Sequence, residues 1–467
     1  MVNISELMNH KNRLKHRPSA NDTIELLDDP DYVVIPLEYP GRILYKPTVK
    51  IGDQVYKNQI IGKSPLGHCI HASISGIVRD ILAIWTANIF HVPAILIQKN
   101  DQPALNTDQV FEQADTSFEK ASTIEKLKIL GVISPWNRPG RLQKEDEKTF
   151  PSIEKIVIKA FDEEPTIAIG DLILRNFTDK IIRGISYLKN LAPQAEMTLV
   201  ISQYLADWGT LNYSAYTSVK TVSSEYRDRL SQLVVSKITG VNIPTSSAYR
   251  THGIAVISVE YLLNLVDALD GHRPFISKFL TLSDSGNGEY RTFKFPLGTT
   301  IRQLLKAANI TDRSFPEIIV GGPMQGITQY TDLTPLTKTS HGLYLKTKTD
   351  VSAETNLTCQ NCGKCSRICP LHLQVHLLGR YAEYGMFKEA VDLHPEACLD
   401  CGLCAYICPA RRSLVQLIQM CKKYGGLVDE FPQQQAECGA SSALERWELG
   451  FQDATELDSR PVTSSTD

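Results

Sequence analysis

The sequence has no excess of charge of either sign. Its 49 lysines and arginines stand against 52 aspartates and glutamates, a net charge of −3. A chain so balanced carries no global basic field, which argues against nucleic acid as a partner. It also lacks any run of about 18 or more apolar residues, the minimum for a membrane-crossing helix. The nearest candidate, Ile81 to Ile97, is broken by Asn88, His91 and Pro93 and reads better as a pair of strands. Met1 to Pro18 lacks the apolar segment of about 7–15 residues that a secretory signal needs. The expectation is a protein kept on the reducing side of a membrane, where a peripheral attachment stays open. Cysteines are too few for a disulfide-dense scaffold: eleven in 467 residues, eight of them between Cys359 and Cys408. An even sprinkling would suggest bridges, whereas a block suggests metal.

What is present has the ordinary balance of a folded protein, 42% hydrophobic and 22% charged. At about 150 residues per domain the length suits roughly three domains. Residues 1 to 30 are polar and read as an extended arm. Tyr32 to Ile97 holds short apolar runs cut by turn signals, the spacing of a strand sandwich or barrel. Residues 100–120 are polar and read as a linker. From Ser122 the apolar runs at 156–160 and 197–202 alternate with helical stretches. One of these is Asp179 to Asn190, where Ile181, Ile182, Ile185 and Leu188 recur at helical spacing. Strand–helix alternation predicts an α/β layer domain over 122–270. Residues 274–345 read as a smaller α+β unit. The cysteine block occupies 355–424 among helices, and 425–467 reads as a loose tail. The whole is a multidomain α/β and α+β chain.

Two runs dominate the block. Cys359, Cys362, Cys365 and Cys369 precede Pro370, and Cys398, Cys401, Cys404 and Cys408 precede Pro409. Both follow C-x2-C-x2-C-x3-C-P, the bacterial ferredoxin spacing, in which the fourth cysteine of each run serves the other cluster. The reading is two [4Fe–4S] clusters. One is held by Cys359, Cys362, Cys365 and Cys408, the other by Cys398, Cys401, Cys404 and Cys369. The cysteine before each proline is expected at the start of a helix. A zinc ribbon would use two CxxC pairs rather than two identical runs of four. Gly363 and Gly402 lie where backbone must pass close to the cluster. Lys364, Arg367, Arg411 and Arg412 can offset thiolate charge or receive an acidic carrier, or form a solvated basic face. His372, His376 and His394 are surplus to complete ligand sets. Cys69 reads as a buried inert thiol, and Cys421 and Cys438 match no motif.

With these motifs in order, residues 30–424 resemble the C subunit of the Rnf-type ion-pumping electron transport complex. The run from Val49 to Val78 resembles that family's barrel-sandwich module, without a lysine at a hairpin tip, so no swinging lipoyl arm is expected. The resemblance implies a barrel-sandwich β module at 31–99 and a domain at 122–270 like the NADH-oxidising flavoprotein of respiratory complex I. It further implies a β-grasp (SLBB-like) module at 274–345, matched best at Val320 to Gly326, and a helical dicluster ferredoxin-type module at 355–424.

The departures from that family are informative. Members that use NADH carry a GxGGAGFP loop, in which glycines let backbone approach flavin and phosphate. Here only Gly131 survives in the first part, and Ile133, Pro135 and Trp136 bring bulk where open backbone is needed. Of the next motif, NGAECEPYxTxDD, the acids Asp162, Glu164 and Asp171 match, while Lys159 replaces the asparagine and is a candidate partner for those acids. Gly131, Asp162, Glu164 and Asp171 are therefore the remnant of a flavin site in which no FMN is expected. The resemblance then implies an electron-relay subunit, peripheral on the cytoplasmic side of the inner or plasma membrane. It would serve other subunits of the complex and a soluble ferredoxin-like or cytochrome partner. The alternative is an NADH-oxidising, FMN-containing subunit of an ion-translocating NADH:ferredoxin oxidoreductase.

Overall fold

A computed structural model describes residues 23–39, 43–87, 91–114, 116–132, 152–245, 247–286, 288–310, 315–347 and 357–425. The two strands expected between Ile81 and Ile97 are present as Gly76–Trp85 and His91–Lys99, paired antiparallel. They form a four-stranded sheet with Tyr32–Pro36 and Gln54–Val55, facing a three-stranded sheet of Lys46–Pro47, Ile60–Lys63 and Cys69–His71. Side chains alternate across a strand. Val33, Ile35, Ile95 and Ile97 thus enter the space between the two sheets, while Val34, Ala94 and Leu96 form a second apolar layer with Leu333. Burial on both faces is why these strands read as continuous apolar runs rather than as an alternation. At Gly76 the chains come so close that a Cβ would lie 2.0 Å from the Gln98 carbonyl oxygen.

The α/β domain is a four-stranded parallel sheet in the order Ser218–Val222, Glu196–Ser202, Lys155–Ala160, Ile254–Ser258. Ile156, Ile158 and Ala160 face one apolar cluster with the helices Ile169–Asn176, Thr178–Leu191 and Val259–Leu269. Val157 faces the other, with Val234 and Val235 of the helix Ser231–Thr239. Both faces of the sheet are covered, as a parallel sheet requires.

The third unit is a mixed six-stranded sheet. Its order is Ile24–Leu26, Tyr290–Pro296, Ser277–Asp284, Gly342–Lys346, Glu317–Val320, Ile327–Gln329, and the helix Ile301–Ala307 contributes to its core. Within the extended arm expected over residues 1–30, Ile24–Leu26 joins this sheet in parallel pairing with Thr292–Lys294. Arg291 grips Glu25 with two nitrogens, at 2.8 and 2.7 Å. A three-residue edge strand whose Leu26 is exposed leaves no hydrophobic pattern to read. The expected linker holds the helix Thr107–Glu112, closed by an Asn106–Gln109 capping box, and buries Val110 and Phe111. The last unit is helical, with Val375–Glu383 lying along Leu414–Tyr424. The tail beyond residue 425 and Cys438 lie outside the described residues.

One buried ion pair joins the second unit to the third. Lys278 Nζ donates to Glu260 Oε2 at 2.6 Å, and Glu260 Oε1 also accepts from the Phe279 amide at 3.2 Å. Both side chains are buried. Removing one member of such a pair strands the other and costs about 3–5 kcal/mol. Glu260→Ala, which orphans an ammonium and an amide together, should lower stability in urea by at least as much as Lys278→Ala.

Candidate metal centre

The two cysteine runs fold alike. Gly363 and Gly402 adopt φ of +67° and +77°, each immediately before a short helix, Lys364–Ile368 and Leu403–Tyr406. Left-handed backbone is cheap only for glycine. It turns the chain so that the third cysteine of each run rides on the first turn of its helix. The fourth cysteine lies past the helix end and not at a helix start as expected. Cys369 caps Lys364–Ile368 in extended conformation, with ψ of 122°. The following proline excludes helical backbone from the residue before it.

Both fourth cysteines reach the other run's thiols. One cavity is rimmed by Cys359, Cys362, Cys365 and Cys408. The other is rimmed by Cys369, Cys398, Cys401 and Cys404. Among the described residues no three His, Cys, Asp or Glu side chains converge on a single ion. The thiols stand instead around two separate spaces, four to each, and this donor set suits a cubane cluster. Each cavity thus gathers three thiols of one run and the fourth of the other.

The surroundings of the cavities differ. In the outer set Cys362 is exposed and Cys359, Cys365 and Cys408 are half-buried, whereas in the inner set Cys401, Cys404 and Cys369 are buried and Cys398 is half-buried. Burial pushes the Cys398 thiol up to about 11 and raises Cys401 and Cys404, and Cys365 of the outer set as well. The Asp400 amide points at Cys398 Sγ, 3.4 Å away, and Lys422 Nζ ties that loop through the Cys398 carbonyl (2.8 Å) and Asp400 (2.6 Å). At the outer set Arg367 donates to the Cys362 carbonyl and Arg380 to Asn361, both at 2.9 Å. Arg412 is buried against Glu383. Burial opposes its charge, but hydrogen bonds to Glu383 and Cys359 outweigh that and hold the guanidinium above its usual range. His376 lines the outer cavity with Nδ1 3.2 Å from Ser366 Oγ. His394 pairs with Glu396, and Cys69 is a buried thiol pushed up to about 11.

The four residues expected at a degraded flavin site do not form a single cluster. Gly131, at φ +69°, has the Cys69 carbonyl, Lys338 Nζ and His71 Nδ1 around it, and its own carbonyl accepts from Lys338 at 2.8 Å. Asp162 and Asp171 lie together, the first half-buried and the second buried, and both are held above the usual carboxylate range. For Asp162, pushed up to about 6, the causes are burial and the charge of Asp171. Asp162 accepts from the Gly170 amide at 2.7 Å, and Asp171 from Ser202 at 2.7 Å and from Tyr204. Between them lies the fully buried Arg229, whose Nε donates to the Asp162 carbonyl at 2.7 Å and whose Nη2 donates to Ser202 at 3.1 Å. Glu164 points elsewhere and accepts from the amides of Met324 (3.1 Å) and Gln325 (2.5 Å). Lys159 serves none of these three acids directly: its ammonium bonds Glu163 at 2.8 Å and Ser231. Ile133, Pro135 and Trp136 lie outside the described residues. Arg229, Tyr226 and Lys422 belong to no motif, and no sequence signal marked them.

Residues 10–102 match the RnfC barrel sandwich hybrid domain, and residues 358–411 match a 4Fe-4S dicluster domain. The first match begins well before the expected boundary at residue 31. The dicluster match makes this an iron–sulfur protein of the electron-transfer class. The C subunit of the proton-translocating ferredoxin:NAD(+) oxidoreductase complex of Clostridium ljungdahlii is 26% identical over 384 residues, spanning 80% of this chain and 83% of that one. Its Na(+)-translocating counterpart from Acetobacterium woodii is 23% identical, over 84% and 91%. The C subunit of the ion-translocating oxidoreductase complex of Methanosarcina acetivorans is 24% identical, over 87% and 95%. The chain is thus RnfC-like over most of its length. Among solved structures, an NAD+-reducing [NiFe]-hydrogenase in the air-oxidized state aligns over 73% of this chain and 62% of that one, at 15% identity and a TM-score of 0.37.

The interlocked ligand sets make iron content a direct readout. Cys369→Ala and Cys398→Ala should each remove about half the bound iron, and the pair no more than either alone. Cys369→Ala with Cys365→Ala should remove nearly all of it, by iron assay on anaerobically purified protein. Glu164 makes stability depend on pH, because burial pushes its carboxyl up to about 7 from 4.5 despite two amide donors. Between those values the folded state binds more protons than the unfolded, so this group's contribution to stability falls as pH rises from about 4.5 to about 7. Glu164→Gln, which cannot ionise, should gain stability relative to wild type across that window, measured by urea denaturation at each pH.

Proposed function

We propose that the chain is a peripheral electron-transfer subunit of an Rnf-like membrane complex, placed on its cytoplasmic side. It relays single electrons between a soluble ferredoxin-like or cytochrome carrier and membrane subunits without oxidising NADH itself. The observation that carries the reading is the pair of four-thiol cavities with opposite surroundings, one rimmed by exposed Cys362 and the other sunk against the α/β domain. A [4Fe–4S] cluster in each would accept and return one electron at a potential set by its hydrogen bonds, burial and charge. The chain's own part is to hold the thiolates and exclude water from the inner set. At the outer rim, exposed Arg367, Arg380 and Arg411, with half-buried Lys364, present positive charge to an acidic carrier. The relatives, each part of a multi-chain complex by name, support membership of a larger assembly. Among the described residues no helix is long and apolar enough to cross a membrane, so attachment would run through other chains. We also read the α/β domain as flavoprotein-like and the mixed sheet as β-grasp (SLBB-like), with FMN excluded by the bulk at Ile133, Pro135 and Trp136.

The second reading is an FMN-containing, NADH-oxidising subunit. It is favoured by the three acids retained in place and by relatives named for a ferredoxin:NAD(+) oxidoreductase. The readings part on one measurement. NADH alone should leave the cluster absorbance of the purified protein unbleached, while a reduced ferredoxin-type carrier should bleach it. Rapid bleaching by NADH, with a yellow cofactor released on denaturation, would establish the second. Lys364→Glu with Arg411→Glu should slow reduction by an acidic carrier about tenfold at low salt, with the difference closing as salt is raised.

A further inference from the structure

The inner cavity is held by more than its own module. The Tyr226 hydroxyl, on a chain turn of the α/β domain, donates to the Cys401 carbonyl at 2.7 Å. Behind it, Gln325 Nε2 donates to the Tyr226 oxygen at 2.9 Å. Gln325 is fixed in turn by Glu164, whose carboxylate accepts the Met324 and Gln325 amides. Two glycines allow the stack to close. A Cβ at Gly322 would sit 2.3 Å from Glu164 Oε2, and one at Gly402 would sit 2.4 Å from the Met324 carbonyl oxygen. Tyr226, Leu230, Cys401 and Leu403 bury one another beside Met324, so the phenol end of the relay is covered, while Gln325 behind it is exposed. The outer cavity is braced differently, by Arg367 and Arg380 of its own module.

The relay points one way. Gln325 donates to the phenol and the phenol donates to Cys401, and each donor polarises the next, the last bond being between buried groups. A hydrogen bond to the Cys401 carbonyl draws electron density from the Cys401–Gly402 peptide and makes its N–H end more positive. That amide lies in the loop carrying two inner thiols. Positive potential there favours the form of the centre that carries the extra electron.

We propose that Tyr226, fixed by Gln325 and Glu164, is a positioning residue that raises the reduction potential of the centre at Cys369, Cys398, Cys401 and Cys404 relative to the outer centre. This rests on the reading that both cavities hold clusters, so iron content is measured first. Iron for fewer than two clusters in wild type would defeat that reading and leave the relay no centre to tune. With both present, EPR-monitored redox titration of Tyr226→Phe should show one midpoint shifted downward and the other unmoved. In a Cys362→Ala background, where the outer centre is lost, the remaining signal should shift by the same amount. Unchanged midpoints, or equal shifts in both, overturn the proposal. Should Tyr226→Phe fail to keep both centres, Gln325→Leu carries the test. It removes only the donor behind the phenol and should lower the same midpoint by less, and no shift in it would be equally fatal.

Discussion

The site depends on one covalent constraint: the proline that follows the fourth cysteine of each run. Without it, the short helices Lys364–Ile368 and Leu403–Tyr406 could run on and carry Cys369 and Cys408 back over their own loops. Because the residue before proline is driven out of helical backbone, each thiol leaves its run and reaches the other. The two cavities are therefore interlocked, and neither set of four is complete within one loop. The paired glycines supply the opposite turn at the other end of each short helix, and the 28 residues between Cys369 and Cys398 are free to form the helices that brace both.

Interlocking makes the two centres close relatives in ligation, so any difference between them must come from their surroundings. The outer rim is charged, exposed and self-contained. The inner one is covered by the α/β domain and by the glycine loop at 321–326, and its Cys401 carbonyl is claimed by a residue 175 positions away in sequence. One side of the module is open and the other faces the body of the protein. That polarity supports the proposed relay over a centre that merely stabilised its fold.

Much of this was legible in the sequence, because the informative features are local. Eight cysteines at fixed spacing, two glycines inside the loops, and the apolar runs at 156–160 and 197–202 each announce their structure within a few residues. What could not be read is what depends on distant partners. Ile24–Leu26 is held by main-chain pairing and by Arg291, and neither leaves a pattern in three residues. Thr107–Glu112 buries only two side chains. Lys159 stands where a motif asparagine would be, and its choice of Glu163 over the motif acids follows from the bend after the strand Lys155–Ala160, which brings Glu163 back to it, and from Arg229 already serving Asp162 and Asp171.

The motif acids each have partners within the protein. A buried carboxylate needs hydrogen-bond donors whether or not a ligand supplies any. Asp171 has Ser202 and Tyr204, Asp162 has the Gly170 amide, and both share the field of Arg229. Glu164 has two backbone amides of the loop that presses on Gly402. Each acid thus has donors of the protein's own, and Glu164 is part of the floor on which the inner cavity rests. Under the proposed reading without FMN, these bonds are what would keep the carboxylates in place with no ligand.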